Sequence, residues 1–344
     1  LVGSEMCIRD RVELPSIATS KRHLRVPFCY EGLLTATMDI LLQQIINGLV
    51  LGSIYALVAL GYTMVYGILG LINFAHGDLV MVGALVALSV LQAMFGAALP
   101  APVAIGAATL VAMVICMALG VTIERVAYRP LRRAPRLAPL ITAIGVSILL
   151  QYSAALIWTK QYISLPEILK PEQFTIAGAS FTDLQLFIFL LACGLMAALL
   201  WFVKYTRLGK AMRATEQNPA VAGLMGIDIN RIVALTFLLG SALGAIAGVM
   251  VVLYYGIGHY YMGFMLGLKA FTAAVLGGIG KIHGAVLGGL LLGLIESLAS
   301  GYIGDLTNGV FGSNYRDVFA FLVLVVVLIF RPSGLIGETA GERA

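Results

Sequence analysis

From Leu41 onward the chain is a succession of apolar runs separated by short polar loops, at about residues 41–72, 78–95, 102–123, 137–158, 184–203, 232–255, 263–280, 284–299 and 317–330. A helix needs about 20 predominantly apolar residues to cross a bilayer. No long alternating pattern of the kind a barrel strand requires is present. In lipid only helices satisfy every backbone N–H and C=O within one segment. The pattern predicts an all-α, polytopic transmembrane helical bundle of about eight or nine spans.

The first run is too long for one untilted span at about 1.5 Å rise per residue and too short for two. Gly61, Gly67 and Gly70 offer break points. One long tilted helix with an external N-terminus is the favoured reading, with a span plus a re-entrant half-helix as the alternative. The short runs at 263–280 and 284–299 carry the same ambiguity.

Loop charge sets the sides. Residues 125–136 hold five arginines and residues 204–213 four basic residues, so both loops should be cytoplasmic, with Arg231, Lys281 and Arg331 on the same side. The segment 159–183 is then external. It presents Glu167, Glu172 and Asp183 beside Lys160 and Lys170 as a docking surface.

Composition narrows the class. Of 344 residues 60% are hydrophobic and 11% charged, with a mean hydropathy of +0.98, which leaves no room for a soluble domain. The net charge of +5 follows from basic cytoplasmic loops and does not require an acidic partner. Cys116 and Cys193 lie in apolar runs with no CxxC pair, so neither a disulfide nor a metal is expected. Residues 1–37 carry nine charged residues and read as a non-native or disordered extension ahead of Met38. The transmembrane domain is 38–337, followed by a tail at 338–344.

Inside the runs, small residues recur four apart: Gly48 and Gly52, then Gly240, Gly244 and Gly248, Gly284 and Gly288, and Gly289 and Gly293. Such faces let helix backbones approach where lipid removes the hydrophobic drive for association. Ionisable residues are sparse and read as lying near span ends, which argues against a proton or sodium relay. Glu296, beside Ser297 and Ser300, reads as a wetted or hydrogen-bonded position near the outer end of its run, with a pathway role as the alternative. Asn73, His76 and Asp78 read as the opening of a helix, with translocation or gating as the alternative. There is no GxxxxGK[ST], HExxH or GxSxG sequence, so no ATPase or hydrolase site is expected.

The loop 205–231 is different. Asn218 and Pro219 form an N-cap and first-turn pair, and Gly226 is a C-terminal stop, which predicts a helix of about two turns. Ala220, Val221, Ala222, Gly223, Leu224 and Met225 are too small and apolar for a solvated loop, so this helix should be covered by another protein.

Together with residues 73–78 (Asn-Phe-Ala-His-Gly-Asp), 123–131 (Ile-Glu-Arg-Val-Ala-Tyr-Arg-Pro-Leu), 269–280 and the closing Arg331-Pro332-Ser333-Gly334-Leu335, this loop makes the chain similar to a known family. From about residue 38 to 337 it resembles the LivH permease subunits of bacterial branched-chain amino-acid ABC importers. Urea and short-chain amide ABC permeases look similar, and a stand-alone secondary transporter is a further alternative. The resemblance implies a LivM-like permease partner, two cytoplasmic ATPase subunits that bind the ATP, a periplasmic binding protein and an inner-membrane location. It implies no enzymatic activity and no cofactor in this chain. It also makes 216–226 a coupling helix, with Glu216, Asn218, Pro219, Ala222, Gly223 and Gly226 at the ATPase contact. The chain departs from the family pattern at Lys281-Ile282-His283 and at Gly258-His259-Tyr260-Tyr261.

Overall fold

Residues 76–88 are buried without interruption, so one helix is enclosed on every face and the others stand around it. The structure, a computed structural model, describes residues 28–96, 100–132, 134–135, 137–166, 172–176, 178–307, 315–331 and 333–336. The chain divides into two units, Leu1–Met38 and Asp39–Ala344. Residues 28–38 of the first are helical, and the bundle belongs to the second. Glu167, Lys170, residues 1–27 and the tail 338–344 lie outside the described residues.

In chain order the helices are α1 (Phe28–Leu69), α2 (His76–Met94), α3 (Ala101–Ile123, continued by a π-helical turn Glu124–Tyr128), α4 (Leu137–Ile157), α5 (Asp183–Tyr205) and α6 (Arg207–Gln217). They are followed by α7 (Pro219–Leu224), α8 (Ile229–Tyr255), α9 (Met262–Gly277), α10 (Ile282–Leu306) and α11 (Arg316–Phe330). Among the described residues seven helices are long and apolar enough to cross a membrane, and the apolar parts of α9 and α11 are shorter. The first run is a single helix: it passes through Gly61 and Gly67 unbroken and ends at Gly70, whose φ of +62° is left-handed. The re-entrant alternative is thereby removed.

Burial separates an inner from an outer set. The apolar windows of α1, α2 and α8 are 78%, 72% and 67% buried, whereas those of α3, α4 and α5 are 28% buried and turn most of their surface outward. The inner set is closed by glycine. A Cβ at Gly248 of α8 would overlap the Val80 carbonyl of α2, and one at Gly83 would sit 2.7 Å from the Cα of Ala245. Gly77 meets Gly263 and Gly267 of α9, and Gly288 of α10 meets the Ala273 carbonyl of α9. These small-residue faces are seams within the chain, where close backbone approach supplies the dispersion contact that holds helices together in lipid.

Two short antiparallel pairs stand at the end opposite the basic loops. β1 (Ile163–Ser164) pairs with β4 (Ile257–Gly258) and ties the α4–α5 connection to the α8–α9 connection, while β2 (Gln173–Ile176) and β3 (Ala179–Thr182) form a hairpin. The hairpin leads into α5 through a capping box in which the Thr182 side chain and the Gln185 backbone and side chain satisfy each other's donors.

The loop after α5 is more helical than its sequence suggests. The eleven-residue α6 precedes the short helix, so Glu216 belongs to α6 and not to the two-turn element. That element, α7, is six residues long. Asn218 Oδ1 accepts from the backbone N–H groups of Ala220 and Val221, and Gly226 follows at φ +84°.

Candidate functional site

The helical bundle holds an ionic cluster around the buried Lys269 and Glu296. Lys269 Nζ in α9 donates to Glu296 Oε1 of α10 at 2.8 Å and lies 2.7 Å from Asp317 Oδ1 of α11. The Tyr55 hydroxyl of α1 donates to Glu296 Oε2 at 2.9 Å and accepts from Lys269 Nζ at 3.3 Å. Four helices thus meet at one lysine. The glycine seams set this register: Gly277 lies against Gly284 and Ala273 against Gly288, which brings Lys269 within one helical turn of Glu296. On the α1 side Gly289 is held against Ala56 and so presents Tyr55.

Glu296 is 1% exposed and lies ten residues before the end of α10, which runs on to Leu306. The helix is longer than the apolar run, so the place near its outer end is corrected, while the hydrogen-bonded part of that reading holds, since the carboxylate accepts from Tyr55 and Lys269. Lys269 was missed as a candidate. The signal was present: a lysine in one apolar run and a glutamate in the next cannot both be buried in lipid unless they meet. The argument that the interior lacks charge is corrected with it.

Two cavities flank the cluster. One, of about 180 Å³, is lined by Lys269 and Tyr55 with Val251, Met262, Met265 and Leu266, and reaches Tyr162 and His259 beside the β1–β4 pair. The other, of about 230 Å³, is lined by Glu296 with Gln44, Asn47, Ser297 and Ser300. Tyr255 lines both.

A second polar group stands where α1 hands over to α2. Asn73 Oδ1 accepts from the Ala75 N–H and from the Tyr128 hydroxyl at 2.9 Å, so it both turns the chain into α2 and binds the π-helical turn. Asp78 lies in the first turn of α2, as the sequence indicates, and does more than complement the helix dipole. Its carboxylate is buried and accepts from Ser147 Oγ at 2.5 Å and Gln151 Nε2 at 3.1 Å, pinning α4 to α2. His76 is also buried, edge-on to Tyr62, with its Nε2 unpartnered among the described residues. A Cβ at Gly61 would fall on its ring, and Gly240 and Gly244 of α8 lie beside it. Asn73, His76 and Asp78 therefore form one locus, separate from Glu296.

At the basic end, Glu124 is fully buried and held by Arg129 at 3.0 Å and by Arg132. Arg132 Nη1 donates to Asn230 Oδ1 at 2.7 Å, which links the end of α3 to the start of α8. Burial holds the Arg132 guanidinium below its ordinary pKa, opposed by Glu124. The link to α8 was missed because Arg132 and Asn230 lie 98 residues apart in sequence, whereas Arg129 and Arg132 lie only five and eight residues from Glu124 and that part of the cluster was legible.

Alongside it stands α7. Val221, Leu224 and Met225 are exposed, at 52%, 87% and 79%, and Gly223 is exposed as well. Ala222 faces the other way and is 3% exposed, so its place on the outward contact face is corrected. Glu216 stands at the end of α1, 3.3 Å from where a Cβ on Gly67 would lie.

The family described as "Branched-chain amino acid transport system / permease component" matches residues 44–328. The chain is 44% identical over 310 residues to the high-affinity branched-chain amino acid transport system permease protein LivH of Escherichia coli K12, covering 88% of this chain and 97% of the relative. It is 45% identical over 309 residues to the corresponding permease protein BraD of Pseudomonas aeruginosa, with the same coverage. Among solved structures, PsaBC from Streptococcus pneumoniae in complex with Fab superposes with a TM-score of 0.44 at 15% identity, over 89% of this chain and 97% of that one. On the extent and identity of the sequence matches, the chain belongs to the family of permease components of branched-chain amino acid transport systems.

Proposed function

We propose that this chain is one half of the membrane pore of an ATP-driven importer of branched-chain amino acids, seated in the bacterial inner membrane. The observation that carries the reading is identity of 44–45% along 97% of the length of permeases named for that transport. The chain supplies the path and takes no part in ATP chemistry. A LivM-like permease, two cytoplasmic ATPase subunits and a periplasmic binding protein complete the importer.

In this reading α6 and α7 are the coupling element. The exposed Val221, Leu224 and Met225 with Gly223 form an apolar face for the ATPase, and Asn218, Pro219 and Gly226 hold its backbone shape. The inner side is attached at three places. Gly209 of α6 lies against the Phe202 and Val203 carbonyls of α5, Glu216 stands by α1, and α7 leads through the Asp228 cap into α8. A push on α7 is thereby delivered to α8, whose Gly248 face grips α2, so closure of the ATPase pair rocks the inner helices. At the opposite end the β2–β3 hairpin and the β1–β4 pair offer the surface on which the binding protein docks.

Reconstitution tests this. The chain, co-expressed with its neighbouring permease and ATPase subunits and placed in proteoliposomes, should take up leucine only with ATP and the binding protein present. Uptake that persists without any ATPase would favour a stand-alone transporter.

A further inference from the structure

We propose that Lys269 and Glu296 are a zwitterion-exchange site: an α-amino acid in transit places its carboxylate on Lys269 and its ammonium on Glu296, splitting the resting pair. This deepens the branched-chain reading and rests on it. The two members of the pair line different cavities, Lys269 one and Glu296 the other, so the 2.8 Å contact between them joins the linings of both. The lysine-side cavity is walled by Val251, Met262, Met265 and Leu266, a surface suited to a branched aliphatic side chain. Its 180 Å³ is far more than one water requires.

The cluster is built for exchange. A buried ion pair contributes little net stability, because desolvation offsets most of its attraction, while leaving one member stranded is strongly unfavourable. Here neither member is stranded when the pair opens. Lys269 keeps Asp317 at 2.7 Å and gains the substrate carboxylate, while Glu296 keeps the Tyr55 hydroxyl at 2.9 Å and gains the substrate ammonium. One lysine shared by two carboxylates fits this role better than a fixed structural bridge, which needs only one. A ligand with a single charged group would satisfy one side and leave the other unchanged, so the site selects zwitterions.

The assembled importer in lipid nanodiscs, without binding protein, is titrated with radiolabelled leucine. Bound leucine should be displaced by isoleucine and valine, but not by 4-methylpentanoate or 3-methylbutylamine, which each carry one of the two charges. The neutral triple variant Lys269→Met, Glu296→Gln, Asp317→Asn should weaken leucine binding roughly tenfold or more, the order expected for losing charge-assisted hydrogen bonds. Met265→Trp, which fills the cavity from a half-exposed position, should abolish binding without touching the ion cluster and serves if the triple variant fails to assemble. Displacement by either singly charged analogue as readily as by valine would overturn the proposal. So would wild-type leucine affinity in an assembled triple variant or in Met265→Trp. If the wild-type importer itself moves no branched-chain amino acid, the broader reading falls; if it moves leucine while the variants bind it normally, only this inference falls.

Discussion

Gly293 of α10 lies so close to Gly52 of α1 that a Cβ on the first would overlap the Cα of the second. The same seam holds Gly48 against Leu294 and Gly289 against Ala56, and it carries Tyr55 to Glu296. Gly293→Leu should therefore separate α1 from α10 and lower the folded yield and melting temperature in detergent, by an overpacking cost of about 1–3 kcal/mol or more. Gly194→Ala, at a position with open space around it, should melt like the wild type. Equal melting of the two variants would remove the seam from the account of stability.

The three glycines of α8 are not equivalent. A Cβ at Gly248 would overlap the Val80 carbonyl, whereas one at Gly244 would rest 3.4 Å from the Val80 side chain. Gly248→Ala should destabilise the chain and Gly244→Ala should be nearly neutral. Thermal aggregation of the two single variants, run side by side, checks the order; the reverse order would show that α8 grips α2 at a different height.

Asp78→Ala should destabilise by about 1–3 kcal/mol, because Ser147 and Gln151 lose a buried acceptor. Adding Ser147→Ala and Gln151→Leu to it should recover part of the loss, since a site emptied of all its polar partners leaves fewer groups unsatisfied. Denaturation midpoints for the single and triple variants make the comparison. No recovery in the triple variant would mean that Asp78 acts elsewhere.

Glu124→Gln should loosen the basic end of the bundle. Breaking a buried ion pair by removing one partner costs about 3–5 kcal/mol, and the effect here should fall below that because Arg129 is 40% exposed and water compensates it. Proteolysis in the 125–136 loop should quicken, read by gel against time. An unchanged cleavage rate would count against the cluster as the tie between α3 and α8.

Gly223→Arg tests the coupling face. The position is exposed, and the nearest neighbour of a new Cβ is Ile229 Cδ1 at 3.5 Å, so the chain itself should fold and insert normally. A covered contact there would have to bury an uncompensated charge. Pull-down of the ATPase with the variant should fail, and leucine uptake should fall with it. Retention of both would falsify the coupling role of α7.

The runs of apolar residues by themselves determined that the chain is a helical membrane bundle, because the bilayer accepts few other solutions. Asn218, Pro219 and Gly226 announced α7, because capping and left-handed stops act over a few neighbouring residues. The sequence also marked the small-residue faces, but only the tertiary structure showed that Gly248 faces α2 and that Gly293 faces α1. Partner choice depends on where distant helices stand, and a run of apolar residues does not encode that. The same limit hid the buried ionic cluster. Lys269, Glu296, Tyr55 and Asp317 come from four helices spread over more than 260 residues, and each alone is a polar residue in an apolar run. Only when α9 and α10 close on their glycines do Lys269 and Glu296 meet, and a charge buried away from water needs such an opposite partner.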